Sequence, residues 1–425
     1  MPKHKILVVS YAYPTATTGP RASVGGERVR QFVRHLPHHG FDPVVITHRG
    51  ARTPPTDDSV LLAPDLMRWL AESVPRARRR ASGGSPGGGF RFEAARVALR
   101  RLTFPDRSTY AWAPQAFLAA LRAARSVRPS IVMSSSPPVS NHVVAAALAR
   151  SLGIPWVADY RDGFSFEPPE GESPIVGLRR AFDRYVVGHA ARVVCVTDPL
   201  CDDLQKLAPG REDHVVTITN GYDPDLVAQV EEAPRDPDGP FRVLFAGTTG
   251  LFRKGIRLRT VVDAFMNIAR SRDAGLLLMG YISPDDVGPH ASSAQVEVRG
   301  WVERPQVMRE MRRADALVVL TGNDTSVAGS KLFDYIGAAR PVLVVGRRTA
   351  AGEIVRRHGF GLVAEDDVES IEAALRDLCE HRAEWTRRLS SPEMAEARLS
   401  YSRFELTGKL AEVFRDVLNG SPAGG

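Results

Sequence analysis

Lysine is scarce in this chain of 425 residues: only six of its 56 basic side chains are lysines, namely Lys3, Lys5, Lys206, Lys254, Lys331 and Lys409. Cysteine is rarer still. Cys195, Cys201 and Cys379 form no CxxC and show no metal-type spacing, which excludes a disulfide framework and leaves the expectation of reduced thiols in a cytoplasm. No apolar run approaches the roughly 20 residues that a membrane span requires. The opening MPKHKILVVSYAYP is apolar over too short a stretch for a secretory signal and lacks a small-residue cleavage site, so it reads as a first strand. No GxGxxG follows that strand, which weighs against a nucleotide-dependent oxidoreductase. The acidic pair of a metal-dependent transferase is missing from the strand ends too. DPD occurs at 223–225 and 236–238, both in proline-containing turns, and no metal site is expected.

The length predicts two domains. Short apolar runs alternate with helical spacing from the start: Ile6–Val9, then Val29, Phe32, Val33 and Leu36, then Val44–Ile46, Ile131–Met133, a helix near 141–151, Trp156–Ala158 and Val193–Val196. This is a βαβ series, and it implies a doubly wound parallel sheet with helices on both faces. The rhythm restarts with Arg242–Ala246, a helix carrying Val261, Val262, Phe265 and Ile268, and strands at Leu276–Met279, Val296–Arg299, Ala316–Leu320 and Val342–Val345. The expected division is 1–210, 211–395 and a helical tail at 396–425, with the seam near 205–225.

The net charge of +7 is concentrated. Residues 66–101 carry nine arginines against Glu72 and Glu93, a surplus equal to that of the whole chain. The segment reads either as a solvated loop or as a contact with something anionic, a membrane surface or a phosphorylated acceptor. No aromatics alternate with its arginines, so nucleic acid is not the expected partner.

Chemistry concentrates in loops that follow strands of the second half. GTTGLFRKG (247–255) joins glycines to Arg253 and Lys254; Gly280-Tyr281 and Gly300-Trp301 are further glycine turns. Each also reads as an ordinary strand-end turn. The sharpest stretch is SVAGSKLFDYIGAARPVLVV (326–345), which opens a helix at Gly329, Ser330 and Lys331 between two apolar strands. Backbone N–H groups at a helix start attract phosphate, and Lys331 adds a full charge. Asp334, three residues on, shares its face and suits a ribose diol. The plainer reading of Lys331 and Asp334 is an i,i+3 surface ion pair.

Together with ILVVSYAYP followed by Gly25-Gly26, WVADYRD (156–162), TNGYD (219–223) and VRGWVERPQVMREMRRADALVVL (298–320), these stretches resemble the GT-B fold of family-4 glycosyltransferases over nearly the whole chain. The family's Gly-Arg, five residues, Lys-Gly pattern maps onto Gly247, Thr248, Lys254 and Gly255, with Thr248 where arginine is usual. Its Glu, seven residues, Glu pattern maps onto Ser326 and Asp334, and serines 134–136 stand near where a histidine often follows the first-domain strand. The resemblance implies two Rossmann-like domains across a cleft and a tail helix that returns to the first. It also implies a cytoplasmic, metal-independent, retaining transfer from a nucleoside-diphosphate sugar, which is a co-substrate, with no other cofactor. The acceptor would be a small molecule, a glycan or a lipid-linked glycan held by the first domain. The donor site would comprise Gly25, Gly26, Gly247, Thr248, Arg253, Lys254, Gly280, Tyr281, Trp301, Ser326, Gly329, Ser330, Lys331, Leu332 and Asp334. Lys254 and Lys331 would neutralise the leaving diphosphate, with His142 and Asp162 as acceptor-side candidates. The alternative from another class is a catalytically silent nucleotide-sugar-binding protein.

Overall fold

A computed structural model of the chain describes residues 3–14, 26–49, 59–66, 104–106, 108–165, 174–231, 239–249, 258–321, 326, 328–346 and 348–420. Gly25, Arg253, Lys254, the second DPD at 236–238 and, apart from Leu66, the arginine-rich segment 66–101 lie outside the described residues.

Two parallel sheets carry the fold. The first has seven strands in the order β3-β2-β1-β4-β5-β6-β7: β1 (His4–Val9), β2 (Phe41–His48), β3 (Val60–Ala63), β4 (Ile131–Ser136), β5 (Trp156–Tyr160), β6 (Arg192–Cys195) and β7 (Val215–Thr217). The second has six in the order β10-β9-β8-β11-β12-β13: β8 (Phe241–Thr248), β9 (Ala274–Tyr281), β10 (Val296–Arg299), β11 (Ala316–Leu320), β12 (Val342–Val345) and β13 (Gly361–Ala364). The central strands are apolar on both faces because both faces are covered. In β1, Leu7 and Val9 enter one core while Ile6 and Val8 enter the other. Helices α1 (Glu27–His35), α2 (Ala113–Val127), α3 (Ser140–Leu152), α4 (Pro174–His189) and α5 (Asp198–Gln205) pack around the first sheet. The second has α6 (Leu258–Ala269), α7 (Arg304–Arg313), α8 (Ser330–Gly337), α9 (Ala350–His358) and α10 (Val368–Glu380).

Strands β3, β7 and β13 were not expected, and β7 lies within the seam region expected at 205–225. Val193 pairs with Val215 and Cys195 with Thr217, so the first sheet extends past the expected division at 210. The chain then crosses itself where Tyr222 bridges Ser402; Tyr222 N–H donates to Tyr401 O at 3.1 Å and Arg403 N–H to Tyr222 O at 2.9 Å. Beyond that crossing, α11 (Arg403–Gly420) lays Leu406, Leu410, Phe414 and Val417 against Ile6, Val8 and Phe32, so the last helix closes the core of the first sheet.

Candidate active site

In each sheet the strand order reverses once, between β1 and β4 in the first and between β8 and β11 in the second. Ligands of open α/β sheets bind at such switch points, beyond the carboxyl ends of the strands. At the first, β1 leads to α1, whose N-cap is Gly26. A Cβ on Gly26 would lie 2.0 Å from Ala12 O, so only glycine fits there. At the second, β8 ends at Gly247 and the exposed Thr248, and β11 leads to α8.

Helix α8 opens with Gly329 at its N-cap and no side-chain capping bond, which leaves its first amides to another partner. Leu332 is fully buried and holds the helix to the sheet. Lys331 Nζ lies 3.3 Å from Asp334 Oδ2, so the i,i+3 pair that spacing offered as the plainer reading is formed. It is one link of a longer chain. Arg304 Nη2 stands 3.9 Å from Asp334 Oδ1, and Arg304 Nη1 donates to Glu27 Oε1 at 2.8 Å across the cleft. Burial would push the Glu27 carboxyl up, but hydrogen bonds from Arg30 and Gln31 and the charges of Arg304 and Arg30 prevail and lower it to about 2. The domains also touch where Thr197 Oγ1 donates to Ser326 O at 2.9 Å, so Ser326 meets the first domain through its backbone.

Gly280 and Gly247 explain one another. Gly280 has φ +112°, and a Cβ on it would fall 2.0 Å from Gly247 O. That close approach, between neighbouring strands, is why glycine stands at 280. Gly280 N–H donates to Gly300 O at 3.2 Å, placing Tyr281 at the end of β9 and Trp301 just beyond the end of β10, 55% and 41% exposed. Two aromatic faces are thereby open to solvent at the second domain's cleft edge.

His142 corrects one expectation. It is fully buried in α3, between Trp156 and Tyr160, with Nδ1 2.8 Å from Ser134 Oγ. Burial depresses its pKa to about 3, so it is a neutral core residue and cannot touch an acceptor. Asp162, by contrast, is exposed just beyond β5, at the cleft end of the first sheet. Asp223 of the first DPD caps the helix Pro224–Ala228 by accepting from Asp225 N–H and Leu226 N–H.

Three features at the cleft floor were not anticipated from the sequence. One is the Glu27–Arg304 contact. Another is a buried ion pair: Arg28 reaches Asp159 through Nε (3.1 Å) and Nη2 (2.9 Å), and donates to Ile218 O and Thr219 O at 2.7 and 2.6 Å. Ser135 Oγ donates to Asp159 Oδ2 at 2.6 Å. The third is Arg403, at the start of α11. It is 4% exposed, and its guanidinium makes no hydrogen bond to any described residue, with Nη1 fully enclosed. Burial, followed by the charge of Arg28, lowers its pKa to about 9, with Asp334, Glu27 and Arg304 also within electrostatic reach. No sequence signal marks it. At the hinge end, Thr197, Thr219, Arg348, Glu353, Tyr401 and Lys409 help to line a cavity of about 540 Å³ between the domains.

This is the GT-B arrangement, two Rossmann-like domains facing across a cleft, and comparison bears it out. Residues 25–221 match the model of the Glycosyl transferase 4-like domain, and residues 240–381 that of Glycosyl transferases group 1. The chain belongs to the family-4-like, group 1 glycosyltransferases and is an enzyme of that class. Among solved structures it is similar to sucrose-phosphate synthase from Thermosynechococcus elongatus (TM-score 0.69, 16% identity, 99% of this chain and 100% of that one). It also resembles a glycosyltransferase from Rickettsia africae (0.63, 14%, 99% and 100%). HepE of Anabaena, in complex with UDP and glucose, is similar too (0.62, 14%, 97% and 100%). Comparison with curated protein sequences gives no match.

Proposed function

We propose that this glycosyltransferase moves a sugar from a nucleoside-diphosphate donor, bound on the second domain, to an acceptor on the first-domain side, with retention and without a metal ion. The observation that carries the reading is the meeting, at one switch point, of an uncapped helix start, Lys331 and Asp334. The amides of Ser330 and Lys331, which donate to no described residue, and the Lys331 ammonium suit a diphosphate. The Asp334 carboxylate keeps lone pairs for a ribose diol, and Tyr281 and Trp301 offer faces for a base. HepE, whose structure holds UDP and glucose, supports the donor class by analogy of fold.

In the reaction, negative charge builds on the departing diphosphate as the glycosidic bond breaks. Cations and amides already aimed at that charge lower the barrier. Lys331 and the α8 amides fill this role, with Lys254 as a further cation. Arg403, a buried cation with no hydrogen-bond partner among the described residues, is proposed to complete the set from the hinge side. Gly26 starts α1 on the first-domain side of the cleft, where the domain would close over the phosphates. Asp162 is the acceptor-side candidate. A cytoplasmic location belongs to the proposal and is supported by three free cysteines; no helix among the described residues is long and apolar enough to cross a membrane.

The test is a thermal-shift screen of UDP-, GDP-, ADP- and dTDP-sugars, followed by turnover assays of the stabilising donor with and without EDTA. Stabilisation by one donor class and EDTA-resistant transfer with retained anomeric configuration is the expected result. Binding without transfer to any acceptor would favour a silent binding protein, and loss of activity in EDTA restored by magnesium or manganese would overturn metal independence.

A further inference from the structure

The hinge-end cavity of about 540 Å³ stands apart from both switch points. Its walls follow the carboxyl ends of β6 and β7 at the edge of the first sheet and of β12 in the second. The first domain supplies Thr197 and the start of α5, the second supplies Arg348 and α9, and Lys409 comes from α11. The volume is that of a small-molecule site, roughly 300–1,000 Å³.

Arg348, Arg356, Arg357 and Lys409 line this space, and Arg357 alone among them forms an ion pair with a described residue. Its Nη1 lies 3.9 Å from Asp198 Oδ2, with both side chains more than half exposed. The side chains of Arg348, Arg356 and Lys409 are exposed and pair with no described residue. Arg348 is held in place by a backbone at φ +52°, a left-handed conformation rare for a residue other than glycine. Such positions persist where the surroundings fix them, and they cluster at ligand sites. Asp202 and Glu353 line the same cavity, and neither forms an ion pair with a described residue.

Unpaired cations and unpaired carboxylates in one cavity suit a ligand that carries both an anionic group and hydroxyls. Guanidinium and ammonium groups bind a phosphate, and carboxylates accept hydrogen bonds from a diol. A nucleotide base finds no open aromatic face here: the Tyr401 ring packs against Phe333, His358 and Phe360 and is 8% exposed. We propose that the hinge cavity binds a phosphorylated sugar or polyol, with Arg348, Arg356 and Lys409 on the phosphate and Asp202 and Glu353 on the hydroxyls. Because both domains line the cavity, the bound molecule ties them together at the hinge. Thr197 joins the cavity to the donor side, since its hydroxyl donates to Ser326 O ahead of α8. The site is separate from the one assigned to the donor, and its binding is measured with no donor present.

Isothermal titration of the full chain at low salt with glucose 6-phosphate, inorganic phosphate and glucose tests the proposal. Glucose 6-phosphate should bind, inorganic phosphate should bind more weakly, and glucose should not bind. Arg348→Gln combined with Lys409→Gln removes two charge-assisted contacts and should weaken glucose 6-phosphate binding by roughly a hundredfold or more. Asp202→Ala with Glu353→Ala should keep the binding of inorganic phosphate and abolish the preference for the sugar phosphate. Lys331→Ala should bind glucose 6-phosphate as the wild type does. Unaltered melting temperature and circular dichroism in the variants separate lost binding from lost folding. Absence of binding by both phosphate compounds to the wild-type protein would overturn the proposal. Binding that survives the Arg348 and Lys409 substitutions and disappears in Lys331→Ala would overturn it as well, by placing the anion at α8. Equal affinity of the wild type for inorganic phosphate and glucose 6-phosphate would overturn the assignment of Asp202 and Glu353 to hydroxyls.

Discussion

Arg304 and Glu27 close the cleft between the domains: Nη1 of the first stands 2.8 Å from Oε1 of the second, joining α7 of the second domain to α1 of the first. The same guanidinium reaches toward Asp334 at 3.9 Å, so the residue assigned to the donor ribose and the contact that holds the domains together share one cation. Arg304 is 42% exposed, and a half-exposed pair contributes at most about 1 kcal/mol to stability. Its expected role is to bias closure. Arg304→Ala should leave the melting temperature nearly unchanged and increase the radius of gyration of the free enzyme in small-angle scattering. Identical scattering would show that the contact does not govern closure. The sign of the pH effect follows from the Glu27 carboxyl. Its pKa is lowered to about 2 in the folded protein, so the contact is fully charged above the usual carboxylate range and is lost only as pH falls through about 2.

Arg403 is a buried charge with no hydrogen-bond partner among the described residues. Leaving a buried polar group unsatisfied costs on the order of 1–3 kcal/mol. Arg403→Met should therefore raise the stability of the free protein in urea titrations while weakening nucleoside-diphosphate binding. A destabilised variant that binds normally would show that the guanidinium serves packing at the crossing of the chain, not the ligand.

His142 sets a pH dependence of stability and none of activity. Its pKa falls from the ordinary histidine value near 6.5 to about 3 through burial, so between those values the unfolded chain takes up a proton that the folded one refuses. Stability then rises with pH across that window. His142→Gln should flatten the slope of unfolding free energy between pH 3.5 and 6.5, a range set by about these two values, and leave the pH profile of turnover in place. A shifted turnover profile would return His142 to the reaction.

How much of this was legible beforehand depends on whether the signal was local. The inner strands announced themselves as apolar runs because both faces of each are buried, and α8 could be placed from Gly329, Ser330 and Lys331 between two such runs. Strands β3, β7 and β13 gave no such signal: each is three or four residues long and lies on a sheet edge, with half-buried positions. Lys331 and Asp334 were visible as a pair because three residues separate them on one helix. Arg28 and Asp159 are 131 positions apart, and Arg304 and Glu27 are 277 apart, so only the fold brings either pair together. Burial decided His142: a histidine in the first turn of the helix after a strand looks the same in sequence whether it faces the cleft or the core.

The central claim, that α8 holds the diphosphate and ribose of a nucleotide-sugar donor, is tested most directly by isothermal titration of wild-type, Lys331→Ala and Asp334→Asn proteins with the nucleoside diphosphate and with free pyrophosphate. Loss of a charge-assisted contact of about 1.5–3 kcal/mol should cost Lys331→Ala roughly tenfold to hundredfold in affinity for both ligands. Asp334→Asn should bind the nucleoside diphosphate more weakly and pyrophosphate as the wild type does. Unchanged isotherms from well-folded variants would contradict the account and leave Lys331 and Asp334 as a surface ion pair.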